Sequence, residues 1–192
     1  MRICVYGAAS DKIDDIYKNA GEALGKEIAR RGHSLVFGGG SMGMMGACAR
    51  GVKSENGTSL GISPTFFQVD GLLFDSCTKY LYTETMRERK QLLESESDGF
   101  IITPGGIGTL DEFMEIFTLR QLKRHEKPIA VFNVEGFYDP FVDFMESLAI
   151  KNFVAKDTLS LCKFSSNIDE ILDYLENPPK LDFEVEKLKN LK

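Results

Sequence analysis

The chain has few of the residues that build metal centres, with two histidines and four cysteines among 192 residues and no tryptophan. The cysteines form no Cys-x-x-Cys pair, and neither His33 nor His125 has a second ligand at metal-binding spacing. Three of the cysteines sit in apolar or strand-like segments, which is typical of buried thiols. We therefore expect no metal and a reducing, cytoplasmic environment.

Long apolar runs and an excess of basic charge are also missing. No apolar run is long enough to cross a bilayer, and we expect the first residues to form a strand and not a signal peptide. The net charge of −6 argues against a nucleic-acid surface, which normally needs a basic patch. With 43% hydrophobic and 27% charged residues the composition is that of a soluble domain, so we expect neither membrane nor nucleic acid as a partner.

Short apolar runs alternate with helical patterns along residues 1–178, which predicts a single Rossmann-like α/β domain with a parallel sheet and helices on both faces. The last predicted strand is an edge strand from Leu159 to Phe164, and Pro178-Pro179 leads into a polar tail at 179–192. In such sheets ligands bind outside the carboxyl ends of the strands. That rule predicts that three loops, at 7–10, 38–43 and 104–109, meet at one edge.

The segment from Pro104 to Glu112, PGGIGTLDE, is the strongest candidate for a site. It follows a predicted buried strand at 99–103 and precedes a predicted helix at 110–122. Glycines let a ligand approach the backbone, and the free N–H groups at a helix start attract anions. Asp111, Glu112 and Glu115 follow at once, which favours a phosphorylated substrate with acid–base chemistry beside it.

A structural interpretation of the same segment is open at this point. Thr109 and Glu112 have the spacing of a capping box, in which Thr109 caps the helix and Glu112 reaches back to it. Acids in the first turn of a helix also suit its dipole. Three glycines nevertheless exceed what one turn needs, which favours a functional role for Gly105, Gly106 and Gly108.

A second glycine loop follows the second predicted strand, where Gly38, Gly40 and Gly43 fit the pattern Gly-x-Gly-x-x-Gly. A nicotinamide site would also need an acid about twenty residues later, and the strand at 58–63 has none. The loop therefore predicts a phosphate or nucleotide contact. A tight turn with close helix packing is an equally good explanation.

The predicted helix at 85–96 carries an arginine on its apolar side. At about 100° per residue Arg89 falls at the centre of the arc set by Leu92 and Leu93, opposite Arg87. A buried arginine must be paired, and a phosphate or a carboxylate from Glu112 or Glu115 would satisfy it. The alternative is a structural ion pair that joins two helices.

The helix after Thr109 is predicted to be covered on two sides. One face is assigned Leu110, Phe113, Met114 and Phe117, and the nearly opposite face Glu112, Glu115, Leu119 and Leu122. One side would pack on the sheet. The other predicts a homodimer contact, built around Ile116, Leu119 and Leu122.

Together these segments resemble a known family. PGGIGTLDE resembles the PGGxGTxxE motif of the LOG (Lonely Guy) phosphoribohydrolases, and Met86 to Lys90 resembles their motif of a Met shortly before an Arg-Lys pair. The glycine loop at 37–46 and the segment at 127–138 are similar to the family as well. The resemblance runs from about residue 2 to residue 153.

The resemblance implies a homodimer that cleaves the N-glycosidic bond of a nucleoside 5′-monophosphate such as AMP or an N6-substituted AMP, without a metal or organic cofactor. It places the catalytic roles on Arg89 and Glu112. A carrier of a nucleotide or of molybdenum cofactor on the same scaffold is the alternative. The resemblance and the loops together predict these substrate contacts: Gly39, Gly40, Lys90, Gly105, Gly106, Ile107, Gly108, Thr109, Leu110, Asp111, Glu115 and Thr118.

Overall fold

A seven-stranded parallel sheet forms the centre of the computed structural model, which describes residues 1–180. The strands are β1 Arg2–Tyr6, β2 Ser34–Phe37, β3 Ser59–Pro64, β4 Lys79–Thr83, β5 Gly99–Ile102, β6 Ile129–Phe132 and β7 Lys163–Ser165. Their order across the sheet is β4-β3-β2-β1-β5-β6-β7, with every neighbouring pair parallel. The order reverses between β1 and β5, which is where ligands bind in folds of this kind.

Helices cover both faces of the sheet. They are α1 Asp15–Arg30, α2 Gly43–Ser54, α3 Met86–Ser95, α4 Ile107–Gln121, α5 Asp139–Ile150 and α6 Ile168–Glu176, with short 3-10 helices at Thr65–Phe67, Val134–Gly136 and Lys156–Leu161. One apolar core joins the sheet to α1, α2 and α6, and a second joins it to α3, α4 and α5. The predicted α/β architecture is confirmed.

The edge strand was predicted partly in the wrong place. The run from Leu159 to Leu161 belongs to a 3-10 helix, and the strand itself is Lys163–Ser165. Leu161 packs into the core of the α4 face, so its apolar character reflects burial beside α4 and not strand pairing. Residues 181–192 of the predicted tail lie outside the described residues, and the boundary at residue 178 stays a prediction. No helix within residues 1–180 is long and apolar enough to span a membrane.

The three loops at the carboxyl edge of the sheet are joined by backbone hydrogen bonds. The N–H of Ala8 donates to the carbonyl of Pro104 at 3.0 Å, and the N–H of Met45 donates to the carbonyl of Ala8 at 3.2 Å. Gly43 has a φ of +62°, and a Cβ there would overlap the carbonyl of Ala8, so this close approach requires glycine. The loops therefore meet at one edge, as the sequence predicted.

Candidate active site

Helix α4 begins three residues earlier than predicted and has no side-chain cap. Gly106 is the N-cap residue in an extended conformation, and the first helical hydrogen bond runs from the N–H of Leu110 to its carbonyl. The N–H groups of Ile107, Gly108 and Thr109 therefore have no partner inside the helix. With no acid in this first turn, the start of α4 is suited to an external anion.

The predicted capping box is wrong. Thr109 lies inside the first turn with a buried side chain, so it does not occupy the cap position. Because the helix starts at Ile107, Glu112 falls in the second turn and faces the interior. Its carboxylate bonds to an arginine of α3 and not to the start of its own helix. The structural interpretation of Glu112 as a capping residue therefore no longer applies.

The three glycines of this loop differ in what surrounds them. A Cβ at Gly105 would overlap the hydroxyl of Thr109, so this glycine is required by the packing of the loop itself. Gly106 and Gly108 have no described atom within 4 Å of the place where a Cβ would stand, and neither has a positive φ. Among residues 1–180 the protein itself gives no reason for glycine at these two positions. Their exposed backbone is open to a ligand.

Arg89 and Glu112 form a buried ion pair below this helix start. The Nη1 atom of Arg89 donates to Oε1 of Glu112 at 2.8 Å, and Nε donates to the carbonyl of Ile62 at 3.1 Å. The two residues are only 6% and 8% exposed. The inward position predicted for Arg89 is therefore confirmed, and Arg87 is exposed as expected. The pair connects α3, α4 and β3 at the carboxyl edge of the sheet.

The surroundings of the pair are apolar enough to affect proton binding. Burial raises the pKa of Glu112, and the nearby charge of Arg89 opposes that rise. Burial also raises the pKa of Cys4, beneath the pair, to about 12, with the charge of Glu112 adding to the effect. Cys4 is therefore a thiol at neutral pH and not a thiolate nucleophile. Glu112 is the group in this region suited to exchange protons with a substrate or water.

The second glycine loop packs directly on the arginine. A Cβ at Gly38 would overlap the guanidinium of Arg89, so glycine is needed there to admit the side chain. Gly39 has a φ of +81°, and its carbonyl accepts a hydrogen bond of 3.0 Å from the hydroxyl of Tyr80. Gly38 thus lies against the buried pair, whereas a Cβ at Gly39 would meet Tyr80 and one at Gly40 would meet Met45. Sequence reasoning missed Tyr80, although the small Gly61 on neighbouring β3, against which its ring packs, was a usable signal.

Lys90 lies in a partly buried cluster of charged residues next to the pair. Its Nζ atom is 3.0 Å from Oδ2 of Asp111 and 2.6 Å from Oε2 of Glu115. Glu115 therefore partners Lys90, and Glu112 alone partners Arg89. Two other predicted contacts are not brought to this group. Leu110 packs against the core with its N–H bonded to Gly106, and Thr118 is exposed, six residues after Glu112 and on a different side of α4.

The two-sided description of α4 needs correction. Ile116 was predicted as a dimer contact but is 2% exposed and packs in the core with Phe113 and Phe117. Met114 was assigned to the sheet side but is 37% exposed. The reason is the phase of the helix, since Glu112 and Ile116, one turn apart, share the buried face with Phe113. Of the predicted contact residues, Leu119 and Leu122 remain accessible.

Known proteins are related in sequence to this chain over most of its length. The family model described as "Possible lysine decarboxylase" matches residues 45–175. The rice protein named cytokinin riboside 5′-monophosphate phosphoribohydrolase LOG is 35% identical over 91% of this chain and 72% of its own length. A protein of Arabidopsis thaliana with the same enzyme name is 33% identical over 97% of this chain and 88% of its own length.

Solved structures with the same fold are more distant in sequence. The molybdenum cofactor binding protein of Rippkaea orientalis superposes with a TM-score of 0.68 at 22% identity, over 91% of this chain and 94% of that chain. A molybdenum cofactor carrier protein of Chlamydomonas reinhardtii superposes with a TM-score of 0.67 at 20% identity, over 91% and 94% of the two chains. At these identities the similarity establishes the fold alone.

Proposed function

Because the chain belongs to the LOG family, we propose that it hydrolyses the N-glycosidic bond of a nucleoside 5′-monophosphate, releasing the free base and ribose 5-phosphate. AMP and N6-substituted AMP, the class to which the cytokinin riboside monophosphates of the relatives' names belong, are the proposed substrates. The observation that carries this proposal is the buried Arg89–Glu112 pair below an uncapped, glycine-rich helix start.

The start of α4 binds the 5′-phosphate in this proposal. The N–H groups from Gly106 to Thr109 supply the donors, and the helix dipole favours the negative charge. The open space beside Gly106 and Gly108 allows the phosphate oxygens to approach the backbone closely. Binding energy from this remote phosphate is then available to stabilise the transition state at the sugar.

Glu112 carries the chemistry at the sugar. Glycoside cleavage proceeds through an oxocarbenium-like transition state with positive charge on the ribose, which an ionised carboxylate stabilises. Glu112 also orients the attacking water and takes its proton, for which a pKa raised by burial is an advantage. Arg89 holds the carboxylate in place, positions the substrate and assists the departing base.

The family description as lysine decarboxylases implies a pyridoxal phosphate enzyme, for which Lys90 would be the adjacent lysine. A lysine that forms a Schiff base needs a lowered pKa. Hydrogen bonding to Glu115, together with Asp111, instead raises the pKa of Lys90. The ammonium form that results is a poor nucleophile. Lys90 is better suited to contact an anionic substrate at the margin of the site.

A homodimer is part of the proposal. Leu122 is 44% exposed and Met114 37% exposed on the outer side of α4, while Leu119 is half-buried. Burial of these side chains against a second copy would be favourable and would cover the margin of the site. Sedimentation at micromolar concentration tests this assembly, and a monomer there would contradict it. The cytoplasmic location stays a prediction.

The direct experiment is to incubate the protein with AMP, an N6-substituted AMP and adenosine, and to measure free base and ribose 5-phosphate. We expect both products from the monophosphates and a poor reaction with adenosine, because adenosine lacks the group that the start of α4 binds. Glu112→Gln serves as the control for contaminating activity.

Two outcomes would count against the proposal. Equal rates with adenosine and AMP would contradict the phosphate site. Tight nucleotide binding without any release of base would instead favour the carrier function suggested by the shared fold, since a carrier needs the loops but not the Arg89–Glu112 pair.

A further inference from the structure

A second cavity lies at the edge of the sheet opposite the glycine loops. Helix α4 starts at the carboxyl edge, and the cavity, of about 400 Å³, is formed where α4 ends and where the chain leaves α6. Its walls include Arg120, Lys123, His125, Glu126, Leu161 and Lys180. None of these residues belongs to the proposed active site.

Arg120 is the residue that makes this cavity unusual. It is only 5% exposed, yet it takes part in none of the ion pairs formed between residues 1 and 180. Its Nη1 atom is buried without a hydrogen-bond partner in that part of the chain. A buried guanidinium without an anion is very unfavourable, so the site calls for a negatively charged group.

Other polar atoms around Arg120 are unpaired as well. Within residues 1–180, Nδ1 of His125 and the hydroxyl of Thr158 are also buried without a hydrogen-bond partner. Burial raises the pKa of Tyr174, and the charge of Arg120 together with a hydrogen bond to Arg120 opposes that rise, so a neutral phenol and not an anion contacts the guanidinium. Thr158 belongs to the 3-10 helix that ends at Leu161 in the cavity wall and packs against α4. Unpaired buried polar atoms are rare in folded proteins, and a concentration of them indicates a missing partner.

His125 defines what that partner should offer. Its Nε2 atom lies 2.9 Å from the carbonyl of Ile116, so Nε2 carries the hydrogen and Nδ1 is left as an acceptor. Burial lowers the pKa of His125, which keeps the ring neutral near pH 7. The cavity thus presents a charged donor on Arg120 and an acceptor on His125. A ligand that both accepts and donates hydrogen bonds would satisfy the two together.

The charge at the rim has the same sign as the buried arginine. Lys123 and Lys180 line the cavity against a single acid, Glu126. Lys123 has a φ of +53°, in the left-handed region that glycine usually occupies after a helix. The excess of positive charge favours an anion over a neutral ligand.

We propose that this cavity binds the phosphate group of inorganic phosphate or of a small phosphomonoester. A hydrogen phosphate accepts hydrogen bonds from the planar guanidinium of Arg120 and donates its own hydroxyl to Nδ1 of His125. The volume of about 400 Å³ exceeds what a single ion fills and lies in the range of small-molecule sites. The inference does not depend on the chemistry proposed at the glycine loops.

The test compares phosphate binding by Arg120→Met and Arg124→Met, each in the full chain. Arg124 is an exposed arginine just after the end of α4 and serves as the matched control. Both variants are made in a chain that already carries Gly106→Val, and that chain, with Arg120 and Arg124 unchanged, is the reference. The valine fills the open space at the start of α4, so that phosphate binding there does not contribute to the signal. Calorimetric titration with inorganic phosphate and with glycerol phosphate distinguishes the two sources of the phosphate group.

We expect Arg120→Met to weaken phosphate binding about tenfold or more, the scale of a lost charged hydrogen bond, and Arg124→Met to leave it unchanged. In phosphate-free buffer Arg120→Met should melt no lower than the reference, because it removes an unpaired buried charge. Added phosphate should raise the melting temperature of the reference more than that of the variant. Arg120→Lys, which keeps the charge but loses the planar fork, provides a second variant should Arg120→Met fail to fold.

Three results would overturn the inference. Equal phosphate affinity in Arg120→Met and the reference would remove Arg120 from the site. Absence of any phosphate binding by the reference would mean that the cavity is not a phosphate site. Binding that appears only after the substitutions Asp182→Asn and Glu184→Gln would mean that carboxylates of the chain beyond Lys180 are the anions that Arg120 meets.

Discussion

Helix α4 has a buried arginine near each of its ends, and the two differ in what the protein provides for them. Arg89 reaches the first half of α4 and is held by the carboxylate of Glu112 and the carbonyl of Ile62. Arg120 lies in the last turn and has no ion pair within residues 1–180. A charge that is already paired and oriented is preorganised for chemistry, whereas an unpaired one requires a ligand.

Charged and apolar residues are buried on the same face of α4 for different reasons. Glu112 and Arg120 share the buried side of α4, eight residues and about 12 Å apart along the axis. Between them Ile116 and Phe117 pack into the core and account for the stability of the helix. The buried charged residues at the two ends give the fold no more stability than well-packed apolar residues of similar size would. Their presence is better explained by function.

The largest expected effect comes from removing the charge that partners Arg89. Glu112→Gln keeps the size of the side chain and an oxygen that accepts from Arg89, so we expect the fold to persist. Turnover of AMP should fall by about 10²–10⁴, the usual scale for a lost acid–base group. Specific activity of the folded variant, measured beside its melting curve, provides the test. Glu146→Gln, an exposed glutamate of α5, is the matched control.

A near-normal rate in folded Glu112→Gln would return the pair to a purely structural role. Arg89 would then be explained by packing, whereas Arg120 would still lack an ion pair within residues 1–180.

The next effect concerns the geometry of Arg89 and not its charge. Arg89→Lys cannot bond to Glu112 and to the carbonyl of Ile62 at the same time, because lysine lacks the planar fork. We expect kcat/KM to fall about 10- to 100-fold, the scale of one lost charged hydrogen bond. Arg87→Lys, on the exposed side of the same helix, should leave kcat/KM unchanged. An unchanged kcat/KM in Arg89→Lys would mean that Arg89 contributes only its positive charge.

The two glycines before α4 provide a smaller and more specific contrast. Gly105→Ala forces a Cβ into the hydroxyl of Thr109, so we expect a loss of about 1–3 kcal/mol in the free energy of unfolding. Gly106→Ala meets open space and should fold normally, but its methyl group narrows the proposed phosphate site. KM for AMP should therefore rise several-fold, with kcat less affected. Chemical denaturation gives the free energy of unfolding of both variants, and steady-state kinetics give their KM and kcat. An unchanged KM in Gly106→Ala would mean that the phosphate does not bind beside Gly106.

How far the sequence predicted this molecule depends on which interactions have a local pattern. The parallel sheet, the meeting of the three loops and the inward position of Arg89 follow from apolar runs and helical phase, and the structure agrees with each. The capping box at Thr109 failed because α4 begins at Ile107 with Gly106 as its N-cap residue, which places Thr109 inside the first turn.

Two features of the sites had no sequence pattern at all. The carbonyl of Ile62 that holds Arg89 is a backbone group, which every residue has. Arg120 was not predicted to be buried, because its neighbours include Tyr174 of α6, and α4 packs on the 3-10 helix at Lys156–Leu161, both far away in sequence. Ile116 was placed on the outer face for a related reason, since the two apolar sides of α4 could not be ranked without their neighbours.

The smallest expected effect is a shift in the pH dependence of the reaction. Burial raises the pKa of Glu112 above the ordinary value of 4.5, although Arg89 opposes the rise. The proposed reaction needs the ionised carboxylate, so kcat/KM should decline as the pH falls through this raised pKa, and the acid limb should lie above pH 4.5.

The free energy of unfolding should change with pH in the opposite sense. A carboxyl group whose pKa is raised by folding stabilises the folded state below its ordinary pKa, and that contribution is lost as the pH rises through the raised value. Glu112→Gln should lack this step in a plot of unfolding free energy against pH. An acid limb at or below pH 4.5 would mean that the charge of Arg89 outweighs burial, or that another group takes the proton.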